Sequence, residues 1–239
     1  MSIQLVTFDL DDTLWDNRPV IVAAERSMRD WLNLHAPRLG ALPVDHLWGI
    51  RSRLVEAEPG LKYRLSELRR RTLFHALAEL GHGEGEAREL AEGAFQAMLD
   101  ARHRITFFPD TLATLEQLAG RYALAVITNG NADVRRLGLA DYFRFALCAE
   151  ELGIGKPDPH PFQEALRRAE AQAERAVHVG DHPGDDILGA QAAGMRAVWY
   201  NPLGNAWEQP GTPDAQIRSL TELPALLDAW NRGGAESQP

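Results

Sequence analysis

Asp9 and Asp11 stand two residues apart at the point where the apolar run Ile3–Phe8 ends. Asp12 and Thr13 follow directly. The run is short and holds Ile, Val, Thr and Phe, which suits a buried parallel strand better than a helix. A parallel strand delivers its carboxyl end to the crevice where open α/β sheets bind ligands. Two carboxylates aimed at one small volume repel each other by several kcal/mol unless a cation or a shared proton relieves them. Hard Mg²⁺, which prefers oxygen ligands, is the natural relief. An acidic turn or a helix cap accounts equally well for Asp12 and Thr13.

Three further segments place polar groups where apolar runs end. Val126-Ile127-Thr128-Asn129-Gly130 offers a hydroxyl and backbone N–H groups able to hold phosphate oxygens, although Asn-Gly is also a turn. Gly155-Lys156-Pro157-Asp158-Pro159 sets a lysine in a proline-stiffened loop, with Asp158 as a helix cap and Pro159 as the first helical residue. Only Lys62 and Lys156 are lysines in a chain with 25 basic residues. Val177-His178-Val179-Gly180-Asp181 ends on another acid, and Asp185 and Asp186 follow at a helix start. Capping explains Asp185 or Asp186 but not Asp181. His178 reads as a core residue. A phosphate dianion needs cations, donors for its oxygens and an in-line nucleophile, and this set supplies all three.

The elements that must position these groups alternate strand and helix. Strands are expected over Ile3–Phe8, Tyr122–Ile127, Phe143–Cys148, Ala176–Val179 and Arg196–Tyr200. Helices are expected over Asp110–Ala119, Val134–Leu139, Pro161–Ala171, Asp186–Ala193 and Leu220–Trp230. Alternation of this kind predicts an α/β fold, a Rossmann-like doubly wound parallel sheet. Residues 16–105 break the pattern with helical spacing alone, interrupted at Pro37–Pro43, Pro59-Gly60 and Gly81–Gly85. They are expected to form an inserted all-helical cap of about four helices, leaving 1–15 and 106–239 as the core domain. Such an insertion beside a strand-end site suits a lid. Its middle is rich in cations (Arg51, Arg53, Lys62, Arg64, Arg69, Arg70 and Arg71), most expected on solvated faces. Residues 233–239 are expected to fray.

Composition excludes some partners. The net charge is −9, which gives no general attraction to nucleic acid or an anionic membrane. No stretch approaches the ~20 apolar residues that a membrane span requires. A lone Cys148 in an apolar run excludes an internal disulfide and suits a packing role in a reducing cytoplasm. The expected partner is a small phosphate ester met by a cytoplasmic monomer or homodimer.

The chain resembles the haloacid dehalogenase superfamily, whose four motifs are matched in order by Asp9-Leu10-Asp11-Asp12-Thr13, Thr128, Lys156 and Gly180-Asp181 with Asp186. The resemblance implies that Asp9 attacks phosphorus and becomes a transient aspartyl phosphate. It implies that Asp11 protonates the leaving group and then deprotonates water. Mg²⁺ would be held by Asp9, the backbone carbonyl of Asp11 and Asp181, with Asp186, or else Asp185, supporting the metal waters or Lys156. Thr128, Asn129 and Lys156 would bind the phosphoryl group. His182-Pro183 stands where a serine and a variable residue are common, which opens the question of what surrounds Asp181. More narrowly, Phe8–Ile21, Ile127–Ala132 and His178–Asp181 look like the flavin-pathway phosphatases. That group acts on 5-amino-6-(5-phospho-D-ribitylamino)uracil and FMN, and it would set Asn17 and Arg18 near the leaving group. Phosphomutases and sugar-phosphate or nucleotide phosphatases share the same acids. Dehalogenase relatives lack an aspartate at the place of Asp11, and phospho-accepting receiver modules are shorter and carry no helical insertion.

Overall fold

A computed structural model describes residues 2–40 and 44–233. The chain separates into two compact units, one of Met1–Asp16, Thr106–Gly130 and Val134–Pro239, the other of Asn17–Ile105 with Asn131–Asp133.

The first unit holds six parallel strands: β1 (Leu5–Phe8), β2 (Ala123–Thr128), β3 (Phe145–Cys148), β4 (Ala176–Gly180), β5 (Arg196–Tyr200) and β6 (Ala215–Ile217). Their order is β3-β2-β1-β4-β5-β6. The first strand of the sequence is thus central, and every residue of it is buried. Leu5, Ala125, Ile127, Leu147 and Ala197 face one layer, where they meet Phe162, Ala165 and Ala190. Their strand neighbours turn to the other face by the two-residue period of a strand, as in the edge-to-face contact of Phe8 with Phe143 at 6.2 Å. A sheet covered on both faces requires such continuous apolar runs, which is why β1, β2 and β4 were legible.

In the second unit, α1 (Asn17–His35), α2 (Pro37–Gly40), α3 (Val44–Ala57), α4 (Leu65–Glu79) and α5 (Glu84–Arg102) surround one core. Val20, Ala24, Met28 and Leu32 recur every four residues along α1, which places them in one stripe. Ala24, Met28 and Leu32 of that stripe pack with Leu73, Leu77, Ala94, Phe95 and Met98. Asn131 and Asp133 belong to this unit because they bond Ser66 (3.4 Å) and His103 (2.9 Å).

The helices of the first unit are α6 (Thr111–Ala119), α7 (Ala149–Leu152), α8 (Pro159–Ala169), α9 (Gly189–Ala192) and α10 (Leu223–Gly233). Three expectations need correction. Val134–Leu139 is a single turn rather than a helix, closed by Leu139 N–H on the Val134 carbonyl at 2.8 Å. Gly138, at φ +71°, reverses the chain there. The helix expected at Asp186–Ala193 is present but starts earlier, as a π-helix over Pro183–Leu188 that continues directly into α9. β6 is a three-residue edge strand inside the Gly- and Pro-rich tail, too short for its alternation to register. The expectation for residues 234–239 lies outside the described residues, as do residues 41–43 of the expected break at Pro37–Pro43.

Among the described residues, no helix is long and apolar enough to cross a membrane.

Candidate active site

The Asp9 N–H donates to the Val179 carbonyl at 2.9 Å, so the β1–β4 ladder runs one residue past β1 and fixes the Asp9 main chain. The chain then turns tightly, with the Leu10 carbonyl accepting from Leu14 at 2.8 Å. Asp12 sits at φ +59° in that turn, a left-handed conformation that a short polar side chain tolerates. Asp11 is half-buried and its backbone bridges to Trp15. Trp15 is fully buried edge-on against Phe107 at 6.1 Å, so it packs the core.

Lys156 is buried, and its Nζ donates to Asp9 Oδ1 at 2.6 Å and to Asp186 Oδ1 at 2.5 Å. Its loop is held from two sides. Asp158 caps α8 by accepting from His160 N–H at 2.8 Å, and Pro159 opens the helix, as the sequence predicts. On the other side the Asn129 carboxamide accepts from Lys156 N–H and donates to the Lys156 carbonyl, both at 2.8 Å. Asn129 was expected to meet the phosphoryl group. Its side chain is committed to the lysine loop, which leaves its main chain as the part able to meet a ligand. A Cβ on Gly155 would collide with that carboxamide. Thr128 is buried at the end of β2, and its Oγ1 accepts from Gly130 N–H at 3.0 Å.

Asp186, not Asp185, is the buried acid of the pair. Its second oxygen accepts from His182 N–H at 2.9 Å, while the half-buried Asp185 accepts from Asn129 at 3.3 Å. A Cβ on Gly180 would run into the Asp186 side chain, so this glycine lets the carboxylate lie across the end of β4. Asp181 accepts from the Thr13 hydroxyl at 3.2 Å, and its carbonyl accepts from the Trp199 indole at 2.8 Å. His182 stays exposed and accepts from Asp185 N–H at 2.9 Å, so it caps the following turn. Thr13 and Trp199, rather than His182, fix Asp181.

His178 is fully buried with Nε2 3.1 Å from Asp186 Oδ1 and Nδ1 2.8 Å from Thr7 Oγ1. An ionised carboxylate only accepts, so Nε2 carries the proton and Nδ1 accepts from the threonine hydroxyl. Thr7 and His178 are register partners across β1 and β4. The signal for this pair is a polar residue in each of two otherwise apolar strands. It becomes informative only once the register is known.

Burial pushes the Asp9 carboxyl well above the usual range, against the pull of Lys156 and with help from the Asp186 and Asp181 charges. Burial and the charges of Asp186 and Asp12 push Asp181 up to about 7. Asp186 goes the other way: burial would raise it, but Lys156 and His178 outweigh burial and hold it below the usual range. Burial would lower Lys156, but Asp186 and Asp9 outweigh it and keep the ammonium charged. Burial holds His178 below the ordinary histidine value. Asp9, Asp181 and Asp186 each offer an oxygen within 4.8 Å of the others. Three carboxylates with one lysine leave excess negative charge, and an all-oxygen donor set relieved by a hard divalent cation fits Mg²⁺. The Asp11 carboxylate is not among these three; its backbone carbonyl was the expected ligand. Asn17 and Arg18 open α1 in the helical unit.

Residues 3–194 match the family model described as haloacid dehalogenase-like hydrolase. The chain belongs to the haloacid dehalogenase-like hydrolase family. It is 35% identical to the 5-amino-6-(5-phospho-D-ribitylamino)uracil phosphatase YigB of Escherichia coli (strain K12), over 94% of this chain and 96% of that one. It is 32% identical to a phosphoserine phosphatase of Thermus thermophilus, over 92% of this chain and 98% of that one. A crystal structure from Pseudomonas syringae pv. Tomato DC3000, described as a 2-haloacid dehalogenase, superposes with a TM-score of 0.94 at 62% identity. It covers 95% of this chain and 99% of that one. The family is hydrolytic, and near full-length relatives in it carry phosphatase names.

Proposed function

We propose that this hydrolase cleaves small phosphate monoesters through transient phosphorylation of Asp9. The observation that carries this reading is the buried Lys156 ammonium bonded to Asp9 and Asp186 where three carboxylates converge on the strand ends. Asp9 attacks phosphorus with one carboxylate oxygen, breaking the ester P–O bond and taking the phosphoryl group. Asp11 gives its proton to the departing alkoxide and then removes one from the water that hydrolyses the aspartyl phosphate. Thr128 and Lys156 bind the phosphoryl oxygens, and the Asn129 carboxamide holds Lys156 in place through the lysine's main chain. Asp9, the Asp11 carbonyl and Asp181 would hold Mg²⁺, with Asp186 supporting them. When bound, the ion neutralises phosphoryl charge and relieves the repulsion among the acids.

The name of the 35%-identical relative and the motif resemblance favour FMN or 5-amino-6-(5-phospho-D-ribitylamino)uracil as substrate, in the riboflavin pathway of the cytoplasm. The description of the Pseudomonas structure suggests halide displacement instead. Asp11 argues against that reading, since displacing a halide needs no second acid. Purified protein with Mg²⁺ should release inorganic phosphate from p-nitrophenyl phosphate and FMN, and no halide from 2-chloropropionate. Halide release without phosphate release would overturn the phosphatase reading. Turnover of hexose phosphates or nucleotides with FMN and the ribityl precursor untouched would overturn only the narrow substrate.

A further inference from the structure

Thr7 is the polar residue of β1 and His178 that of β4. Both are fully buried, and they are register partners across the two strands. Strand alternation puts His178 on the same face as Gly180, where the missing side chain lets Asp186 lie across the end of β4. The imidazole, packed edge-on by Phe162 at 5.1 Å, therefore reaches Asp186 from within the sheet. Packing alone does not ask for an imidazole there. A leucine would fill the space with no nitrogens to satisfy, and a buried polar group is costly unless it is bonded. Here both nitrogens are bonded, one to Thr7 and one to Asp186.

The second of these bonds bears on the site. Asp186 Oδ1 takes Lys156 Nζ at 2.5 Å and His178 Nε2 at 3.1 Å, while its other oxygen takes the His182 N–H at 2.9 Å. Lys156 is the group being placed, so orienting the carboxylate that places it falls to His178 and the His182 main chain. Of these two, His178 is the one that meets the same oxygen as the lysine. The remaining partner of Lys156 is Asp9. With Asp9 as nucleophile, that carboxylate gives up its charge on taking the phosphoryl group, and Asp186 is then the carboxylate of the pair still able to hold the ammonium. A neutral imidazole N–H suits this task, because it holds the oxygen without competing as a second cation. The Thr7 hydroxyl donates to Nδ1 and so keeps the proton on Nε2.

We propose that His178, set by Thr7, is a positioning residue for phosphoryl transfer: it orients Asp186 so that the Lys156 ammonium keeps its place at the strand ends throughout the reaction. This rests on the phosphatase reading and goes beyond it, giving a role to two enclosed side chains behind the reacting groups.

Steady-state phosphate release from p-nitrophenyl phosphate and nitrogen NMR of the histidine rings test it together. His178→Leu keeps apolar bulk and removes the donor, so kcat should fall about 30-fold while KM stays within about threefold. His178→Gln sets an amide N–H as many bonds from the main chain as Nε2 and should recover most of the loss. Thr7→Val matches the shape of threonine, lacks the hydroxyl and should lower kcat about fivefold. The double variant should lose no more than His178→Leu alone, since Thr7 acts through the imidazole. In the unaltered protein the His178 ring, identified by its missing signal in His178→Gln, should show a protonated Nε2 and a bare Nδ1. Where His178→Leu folds poorly, Thr7→Val and the ring signal decide. Unchanged kcat in His178→Leu or Thr7→Val, a lower melting temperature with kcat intact, no recovery by His178→Gln, multiplied losses in the double variant, or a proton on Nδ1 would each overturn the proposal. The failure of the phosphatase reading looks different: the unaltered protein would itself release no phosphate, and this proposal would fall with it.

Discussion

Lys156 in the α/β unit and Arg70 in the helical unit make the same kind of bond. Lys156 Nζ lies 2.5 Å from Asp186, and Arg70 Nε lies 2.6 Å from Glu92. Their surroundings differ. The Lys156 and Asp186 side chains are each 2% exposed, whereas Arg70 and Glu92 are 33% and 46% exposed. Water screens the second pair and competes with it, so its net value is small. Nothing replaces the partners of the first, so removing one leaves a bare buried charge. Ion pairs in the helical unit decorate a fold that apolar packing already holds. Ion pairs at the strand ends make up the proposed site, and their arrangement is what apolar packing in the sheet makes possible.

The most severe way to probe the contrast is Asp9→Asn. The amide keeps the size of the side chain and removes the proposed nucleophile, so phosphate release should fall by at least about 10⁴-fold. The fold should survive, because one buried negative charge is lost from a site with an excess of them. Steady-state assays beside thermal melts check both halves, and retained turnover would break the reading of Asp9. Lys156→Met comes next and attacks stability as well as activity. It strands the Asp9 and Asp186 carboxylates, at a cost of about 3–5 kcal/mol, measured by urea denaturation. A loss below about 1 kcal/mol would place this pair in the same class as Arg70–Glu92.

Mg²⁺ sharpens the same point without a mutation. A cation bound only by the folded state adds about 2.7 kcal/mol at a hundredfold excess over its dissociation constant. Thermal melts should rise with Mg²⁺ and return on chelation, and activity should disappear with the metal. Asp181→Asn should abolish the rise. A melt indifferent to Mg²⁺ would refute the assignment of Asp9 and Asp181 as ligands.

How much of this was readable from sequence follows the same division. Asp9, Thr128, Lys156 and Asp181 were visible because each ends an apolar strand or stands in a proline-stiffened loop, and both are local signals. The β1, β2, β4 and β5 strands were visible for the same reason. The partners that hold these groups were not. Asn129 looked like half of a turn, yet its carboxamide spans to a lysine 27 positions away. Thr7 and His178 look like blemishes in apolar runs until the register of β1 on β4 pairs them. The basic residues 51–71 looked equivalent, and only packing shows that most have glutamate partners while Arg51 lines a cavity. Sequence displays what a residue can do, whereas tertiary register decides which residues orient it.

Asn129 therefore offers a finer cut. Asn129→Ala removes two hydrogen bonds to the Lys156 main chain without touching the lysine side chain. Each is worth about 0.5–1.5 kcal/mol, so stability should fall by about 1–3 kcal/mol, and turnover by roughly tenfold as the ammonium loses its fixed position. The Km should change less than kcat, since a displaced lysine serves the transferring phosphoryl group less well than it serves the resting ester. Unchanged kcat would show that the proline-stiffened loop alone positions Lys156.

The smallest effect is expected where the bond count is misleading. Arg53 pairs with Glu79 at 3.1 Å, and the same glutamate also meets His46 at 2.7 Å. By counting contacts this is as rich a cluster as Lys156 with its two aspartates. All three side chains are between 41% and 64% exposed, however. Holding a long arginine in one geometry costs side-chain entropy that screened attraction scarcely offsets. Glu79 also retains His46 when Arg53 is removed. Arg53→Ala should therefore cost less than about 0.5 kcal/mol, and 0.5 M NaCl should reduce even that difference. Urea denaturation of both proteins at low and high salt measures it. A loss above about 2 kcal/mol would mean that the helical unit depends on its surface ion pairs as the strand ends depend on Lys156, and the contrast between the two regions would not hold.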